Sequence, residues 1–163
     1  MHLSTRGRYA VMAMVDLASR DPAFSLADPV CLAEIAERQQ LSQSYLEQLF
    51  AKLRRADLVS SARGPGGGYR LARPADEIAI ADIVAAVDEP VIATRCEIGS
   101  SGCLVATDLE TGLQRCQTHD LWIELGRQIT LFLGAITLAD VVLGRVSGRA
   151  MDLPRIAGPA LGD

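Results

Sequence analysis

Apolar residues recur at helical spacing along much of the chain. The clearest case is residues 42–56, where Leu46, Leu49 and Phe50 stand at i, i+3 and i+4 and share one face with Leu53. Ser42 or Ser44 is placed to cap the N-terminus of this helix. Similar patterns predict helices over residues 5–19, 31–39, 78–87, 119–133 and 137–143. The chain is therefore predicted to be mainly helical.

The first two of these helices contain strongly apolar sequence. Residues 5–19 are apolar nearly all round after Arg8, which predicts a helix that is buried on most sides. Cys31 lies in the apolar start of the second helix, and we expect it in the core because free cysteine is commonly buried.

A short β-hairpin is predicted after the third helix. Residues 58–63 and 68–73 are short segments that mix apolar residues with Ser or Arg, and they flank the run GPGGG. Four glycines exceed what one turn needs, so the run also indicates a backbone that approaches another molecule closely.

The order helix, helix, turn, helix, hairpin is typical of a winged helix-turn-helix. We therefore predict a mainly α fold with a small β-hairpin and a long C-terminal helix. Because that helix has apolar residues on more than one side, we expect it to form a dimer. The expected organisation is a winged-helix DNA-binding domain (1–90), a metal-binding loop (91–118), dimerisation helices (119–146) and a disordered tail (147–163).

In a helix-turn-helix the second helix of the pair lies in the major groove. The outer face of residues 42–55 would then contact DNA, with Gln48 suited to adenine and Glu47 to cytosine. In the hairpin, arginines supply positive charge and glycines allow a close approach to the backbone. The candidate DNA-binding residues are Ser44, Tyr45, Glu47, Gln48, Lys52, Arg55, Arg63, Gly64, Gly66, Gly67 and Arg70.

The charge distribution agrees with a local site for a polyanion. Residues 1–75 contain ten Lys/Arg against seven Asp/Glu, whereas residues 76–163 contain six against thirteen. No Walker loop or complete dinucleotide fingerprint is present, and no nucleophile elbow or paired acids indicate an enzyme. The uncharged apolar stretch 129–139 is shorter than the ~20 residues of a membrane span. A cytoplasmic protein is expected.

Three cysteines and a histidine follow the winged helix at the spacing C-x6-C-x12-C-x2-H. Thiolates with one imidazole suit either zinc or an iron–sulfur cluster. Structural zinc sites usually contain two closely spaced ligand pairs, and here only Cys116 and His119 form one, which favours a cluster mildly. The candidate ligands are Cys96, Cys103, Cys116 and His119.

Several segments together resemble one family. STRGRYAVMAMVDLA, LSQSYLEQLFAKLR, LVSSARGPGGGYRLARP, AVDEP and ATRC are similar to sequences of the IscR-type iron–sulfur cluster regulators, over about residues 1–146. The resemblance implies a dimeric winged-helix transcription factor that binds a 2Fe–2S cluster. It implies DNA contacts at Ser42, Ser44, Tyr45, Glu47, Gln48 and Arg63. It also implies cluster ligation by Cys96, Cys103, Cys116 and His119.

The resemblance implies a repressor of cluster-assembly genes that responds to cluster status. The expected partners are an operator in double-stranded DNA, a second copy of the chain, and the iron–sulfur assembly machinery as cluster donor. Two alternatives stay open: a nitric-oxide- or iron-responsive regulator of the same family, and a zinc-stabilised winged-helix binding protein. The sequence CQTH favours the cluster-assembly type.

Overall fold

A computed structural model of the chain describes residues 5–20, 28–64, 66–87 and 118–147. The predicted ligands Cys96, Cys103 and Cys116 lie outside these residues, as do all but the first residue of the predicted C-terminal tail.

Six helices and one hairpin make up the described part of the chain. In order they are α1 (Thr5–Ala18), α2 (Leu32–Gln39), α3 (Gln43–Arg55), β1 (Val59–Ala62), β2 (Gly68–Leu71), one turn of 3-10 helix (Ala75–Glu77), α4 (Ile80–Ala86), α5 (His119–Gly134) and α6 (Leu138–Val142). The predicted mainly α class with a small hairpin is confirmed. The helix predicted at 78–87 begins two residues later, after the 3-10 turn.

The apolar stripe of α3 forms the centre of the core. Leu46, Leu49, Phe50 and Leu53 are at most 2% exposed, as the spacing predicts. Complete burial of a side chain of this size contributes roughly 1.5–3 kcal/mol relative to leaving it in water. The stripe therefore fixes which face of α3 points away from the protein.

Helix α1 is the element that the other parts of the fold surround, with contacts to α2, α3, α4, α6 and β2. Its buried positions include small residues such as Gly7, Ala10 and Ala13, which let neighbouring helices approach closely. One face of α1 is left uncovered. Met12 is 37% exposed, and Val11 and Val15 are only half-buried.

The turn between α2 and α3 is closed by a left-handed residue. Gln40 has φ 53° and ψ 42°, and its N–H donates to the carbonyls of Ala36 and Glu37. The N–H of Leu41 also donates to the Ala36 carbonyl at 2.9 Å. These bonds end α2 and redirect the chain so that α3 can begin at Gln43.

Cys31 is exposed, so its predicted place in the core is wrong. It is the N-cap residue of α2, one position before the first helical residue, and the neighbouring Leu32 is buried instead. The preceding Val30 pairs with β2: its N–H and carbonyl each bond to the backbone of Tyr69 at 2.8 Å. This pair attaches the start of α2 to the hairpin.

The C-terminal helices join the same core. Ile80 N–H donates to the Ile136 carbonyl at 2.9 Å and Leu138 N–H donates to the Ile78 carbonyl at 2.8 Å, so the entry to α4 is paired with the entry to α6. Thr137 caps α6 in a reciprocal capping box with Asp140, which confirms its predicted capping role. Helix α6 packs against α1, and α5 packs against α4.

Helix α5 leaves much of its apolar surface exposed to solvent. Leu121 is 61% exposed and Leu131 is 56% exposed, and Trp122, Ile123 and Phe132 are also exposed. In the described residues, no helix combines the length and the hydropathy that crossing a membrane requires.

Candidate nucleic-acid interface

The outer face of α3 presents polar side chains beside the hairpin. Because the apolar stripe faces the core, Ser44, Glu47 and Gln48 are exposed, as is the N-cap residue Ser42. The hydroxyls of Ser42 and Ser44 lie 2.9 Å apart. Neither forms the predicted cap to the backbone: Ser42 has the N-cap position without a side-chain bond, and Ser44 lies inside the helix.

Tyr45 is half-buried at the edge of this face. Its ring packs edge-on against Tyr9 of α1, with ring centroids 6.1 Å apart and an interplanar angle of 87°. The contact fixes the ring between α1 and α3. Tyr45 is therefore the predicted DNA-binding residue whose position depends most directly on α1.

The last turn of α3 is strongly basic. Lys52 is half-buried, whereas Arg54 and Arg55 are exposed. Cations at a helix C-terminus interact favourably with its dipole, and here they also provide positive charge beside the outer face. Arg54 was not among the predicted DNA-binding residues. Its Nη1 lies 3.4 Å from the hydroxyl of Ser61, which connects α3 to β1 across the surface.

The hairpin packs directly on α3. Its two strands are antiparallel, with Ser60 opposite Arg70 and Ser61 opposite Tyr69. The Tyr69 ring lies edge-on to Phe50, with centroids 4.9 Å apart. The fold therefore brings together the two groups of candidate DNA-binding residues, which belong to separate elements of the sequence.

Each glycine of the run 64–68 has a structural reason within the protein. Gly64 and Gly66 have φ of +107° and +76°, where a side chain is strained. A Cβ on Gly67 would lie 2.5 Å from the Ala62 carbonyl oxygen, and one on Gly68 would lie 2.5 Å from the carbonyl carbon of Val30. The geometry of the hairpin thus accounts for all four glycines without a DNA contact.

The two predicted arginines of the hairpin differ in their surroundings. Arg63 is exposed at the tip, and Arg70 is exposed on β2, where its Nε lies 3.2 Å from the hydroxyl of Ser60. Both remain accessible to an anion. The candidate interface is therefore a polar helix face with a basic end, next to a basic hairpin.

Helix α2, which crosses the DNA backbone in a helix-turn-helix, is held to α1 by a charged cluster. The Asp16 carboxylate accepts hydrogen bonds from Nε and Nη2 of Arg38 and from Nε2 of Gln39. Burial alone would raise the pKa of Asp16, but the hydrogen bonds from Arg38 and Gln39 and the positive charges of Arg38 and Arg20 lower it overall. Hydrogen bonding to Asp16 raises the pKa of Arg38.

The predicted metal ligands are represented in the described part of the chain only by the backbone of His119. It is the first residue of α5, and Thr118 precedes it as the N-cap. The Trp122 indole N–H lies 3.2 Å from the Thr118 hydroxyl. The ligand set therefore stays a prediction.

Comparison with known sequences identifies the family. A sequence model of the Rrf2 family, described as an iron-dependent transcriptional regulator, matches residues 3–143. The HTH-type transcriptional regulator IscR of Salmonella paratyphi B is 49% identical over 166 aligned residues, covering 98% of this chain and 94% of that protein.

Solved structures agree with the sequence comparison. IscR of T. potens is similar with a TM-score of 0.66 and 36% identity, over 94% of this chain and 93% of that one. CymR, the global cysteine regulator of B. subtilis, is similar with a TM-score of 0.68 and 31% identity, over 88% of this chain and 98% of that one.

These relatives confirm the predicted winged-helix fold class. They are transcriptional regulators, a class of DNA-binding proteins that are not enzymes, which also confirms the prediction that the chain is not an enzyme. The chain belongs to the Rrf2 family of winged-helix transcriptional regulators and, within that family, is of the IscR type.

Proposed function

We propose that this chain binds operator DNA as a homodimer and represses cluster-assembly genes according to the presence of a bound 2Fe–2S cluster. The iron–sulfur assembly machinery supplies that cluster. The observation on which the proposal depends is the exposed polar face of α3 beside the basic hairpin.

The DNA-binding step follows from the chemistry of this surface. Residues near the N-terminus of α3 contact base edges, with Gln48 paired to adenine and Glu47 accepting from cytosine. Ser42, Ser44 and Tyr45 contact bases or the backbone at the same end of α3. The basic residues Lys52, Arg55, Arg63 and Arg70 bind phosphates, which places the hairpin beside the sugar–phosphate chain.

Dimerisation is assigned to α5. Its exposed apolar residues, among them Leu121, Leu131 and Phe132, form a surface that a second copy of the chain would cover. In α6, Leu138 and Ala139 are buried in the core of the same chain, whereas the C-cap residue Leu143 is 47% exposed. The proposed pairing surface is therefore formed mainly by α5 and can extend to the end of α6.

The donor set fits a cluster. Cys96, Cys103 and Cys116 offer thiolates, and His119 offers an imidazole at the start of α5. Soft thiolates with imidazole are ligands that iron–sulfur clusters accept. When bound, the cluster supplies a redox-active group that can be gained or lost.

The chain's own contacts offer a route between α5 and the DNA-binding surface. Helix α5 packs on α4, and α4 contacts both α1 and α3. A change in the tilt of α5 would alter the separation of the two recognition helices in the dimer. Half-sites lie ~34 Å apart, so a small change in separation alters affinity. Such coupling is a difference in the free energy of DNA binding between two states.

Purification without air tests the cofactor. We expect a coloured protein that contains iron and sulfide, and expect loss of that colour in Cys103→Ala. The matched control is Cys31→Ala, because Cys31 is an exposed cysteine outside the predicted ligand set. A colourless protein with bound zinc would instead support the zinc-stabilised alternative and refute the cluster.

Footprinting on the region upstream of the chain's own gene tests DNA binding. Two proteins are compared: the wild type loaded with cluster, and a triple variant with Cys96→Ala, Cys103→Ala and Cys116→Ala. We expect a protected site for the loaded protein and a changed affinity for the triple variant at one or more sites. Equal binding by both proteins at every site would refute the coupling. Absence of any preferred site would refute the proposed operator binding.

A further inference from the structure

Gln43, the first residue of α3, is outside every set of predicted functional residues. Its side-chain Nε2 lies 3.1 Å from Oε1 of Glu47, one helical turn further on, and both residues are exposed. The bond joins the candidate cytosine-binding residue to a neighbour on the same face of the recognition helix. The N-terminal part of this helix is the part that contacts base edges.

The bond restricts a flexible side chain. A free glutamate samples many rotamers, and fixing them on binding has an entropic cost. A partner that holds the carboxylate before DNA arrives reduces this cost. An ionised carboxylate has two oxygens and about four acceptor positions, so the bond to Oε1 leaves Oε2 able to accept from a base.

An amide is a suitable partner for this purpose. A lysine or arginine at position 43 would also bond to Glu47, but its charge would attract phosphates of any sequence. The Gln43 amide donates a hydrogen bond without adding charge. It therefore orients the Glu47 carboxylate without increasing sequence-independent affinity.

We propose that Gln43 is a specificity-determining residue, which positions the Glu47 carboxylate to accept a hydrogen bond from cytosine N4 in the operator. This inference depends on the proposed function, because it requires that α3 contacts base edges. Gln43 is a positioning residue, and it acts through Glu47 rather than by its own contact with a base.

The test is a double-mutant cycle on base preference. A randomised double-stranded DNA library is selected with the full-length wild-type protein, and the preferred site is then assayed with each of the four base pairs at every position. The same measurements are made for Gln43→Met, Glu47→Ala and the double variant. Methionine keeps the length and apolar stem of glutamine and removes its hydrogen-bonding groups.

We expect Glu47→Ala to reduce the preference for cytosine at one position by about fivefold or more. Gln43→Met should reduce preference at that same position by about twofold, the size expected for an i, i+4 side-chain pair. The affinity of Gln43→Met for random DNA should equal that of the wild type. In the Glu47→Ala background, Gln43→Met should have no further effect on preference.

The inference is overturned if Gln43→Met has no effect on base preference, or has an effect at a position that Glu47→Ala leaves unchanged. It is also overturned if the effects of the two substitutions multiply in the double variant. The second result would mean that Gln43 contacts a base itself. If the wild-type protein selects no preferred site, the proposed function fails and the inference fails with it. If the wild type selects a site and Glu47→Ala changes nothing, operator binding stands, but the proposed contact of Glu47 with cytosine fails and the inference fails with it.

A matched control is available on α5. Gln128 donates through Nε2 to Oε1 of Glu124, also four residues away on an exposed face. Gln128→Met removes the same kind of amide–carboxylate bond from a helix other than α3. The base preference of Gln128→Met should equal that of the wild type. Its loss of thermal stability shows how much of the stability change in Gln43→Met comes from losing an amide–carboxylate pair on a helix.

Discussion

Replacing Asp16 by asparagine should weaken the attachment of α2 to α1. The Asp16 side chain is only 7% exposed, and Arg38 Nη2 lies 2.5 Å from its Oδ1. Gln39 donates to the same carboxylate at 2.8 Å. Asp16→Asn keeps the shape and one acceptor oxygen, but it removes the negative charge that faces Arg38. Because the Asn amide nitrogen is a donor, the substitution also loses at least one of the hydrogen bonds that the carboxylate accepts.

The expected loss is about 2–3 kcal/mol in the free energy of unfolding. A hydrogen bond to a charged group contributes roughly 1.5–3 kcal/mol, and removing one partner of a fully buried ion pair costs roughly 3–5 kcal/mol. The Arg38 side chain is 29% exposed, so water compensates it in part and the lower range applies. For a chain of this size the melting temperature should fall by about 4–12 °C.

Thermal and urea unfolding at one fixed protein concentration measure the loss, since dimer formation makes stability depend on concentration. Glu34→Gln is the matched control. Glu34 also pairs with Arg38, at 3.5 Å, but it is 58% exposed, and such surface pairs contribute about 0–1 kcal/mol. If Asp16→Asn is no more destabilising than Glu34→Gln, the cluster does not stabilise the fold as argued.

The pH dependence gives an independent check on Asp16. Its pKa is lower in the folded chain than the value of about 3.9 in an unfolded chain, because Arg38 and Gln39 overcome the effect of burial. The folded state therefore binds fewer protons, and the contribution is complete above that unfolded pKa. It is lost as the pH falls through the lowered pKa of the folded state. The stability difference between wild type and Asp16→Asn should shrink below about pH 4.

Three further predictions test the hairpin, the DNA contact and the C-terminal cap. Gly68→Ala should destabilise by about 1–3 kcal/mol in urea unfolding, because its Cβ collides with the Val30 backbone, whereas Gly134→Ala, with nothing within 4 Å, should not. Arg63→Ala should weaken operator binding and reduce the salt slope by about 0.9 in a filter or anisotropy titration, and an unchanged slope would exclude a phosphate contact. Thr137→Ala should cost about 1 kcal/mol in thermal unfolding, and a neutral effect would show that the capping box contributes nothing.

The order of elements was predictable because it depends on local patterns. The stripe of Leu46, Leu49, Phe50 and Leu53 repeats at helical spacing, and that periodicity directly gives the buried face of α3. The hairpin was predicted from two short segments around a glycine run. Such signals span fewer than about fifteen residues, so no knowledge of the tertiary structure is needed to recognise them.

The errors arose where burial depends on packing between elements. The exposure of Met12 shows that an apolar helix face need not be covered by the same chain, and periodicity gives only which residues are apolar. Cys31 was misplaced because the first residue of α2 is Leu32, and a shift of one residue changes which side chain faces the core. Neither the exposure of Met12 nor that of Cys31 can be predicted from the local sequence.

Contacts across long sequence separations could not have been predicted from the sequence pattern. Asp16 and Arg38 are 22 residues apart and meet because α1 and α2 pack together. Arg54 and Ser61 are only seven residues apart, but their contact likewise depends on how α3 rests on β1, although the place of Arg54 in the run KLRR already indicated a basic surface. The candidate ligands of the 91–118 segment were identified from their spacing and from the family resemblance. They lie outside the described residues.

The glycines of the hairpin change how its role in DNA binding should be tested. Their number first suggested a close approach to DNA, yet Gly64 and Gly66 have positive φ, and Gly67 and Gly68 leave no room for a Cβ within the protein itself. Any alanine substitution there would deform the hairpin and weaken DNA binding whether or not a glycine contacts DNA. The glycine content is therefore evidence for the fold of the hairpin and not for its contact with a groove of DNA. Substitution of the exposed Arg63, which alters charge and leaves the turn intact, is the experiment that separates the two.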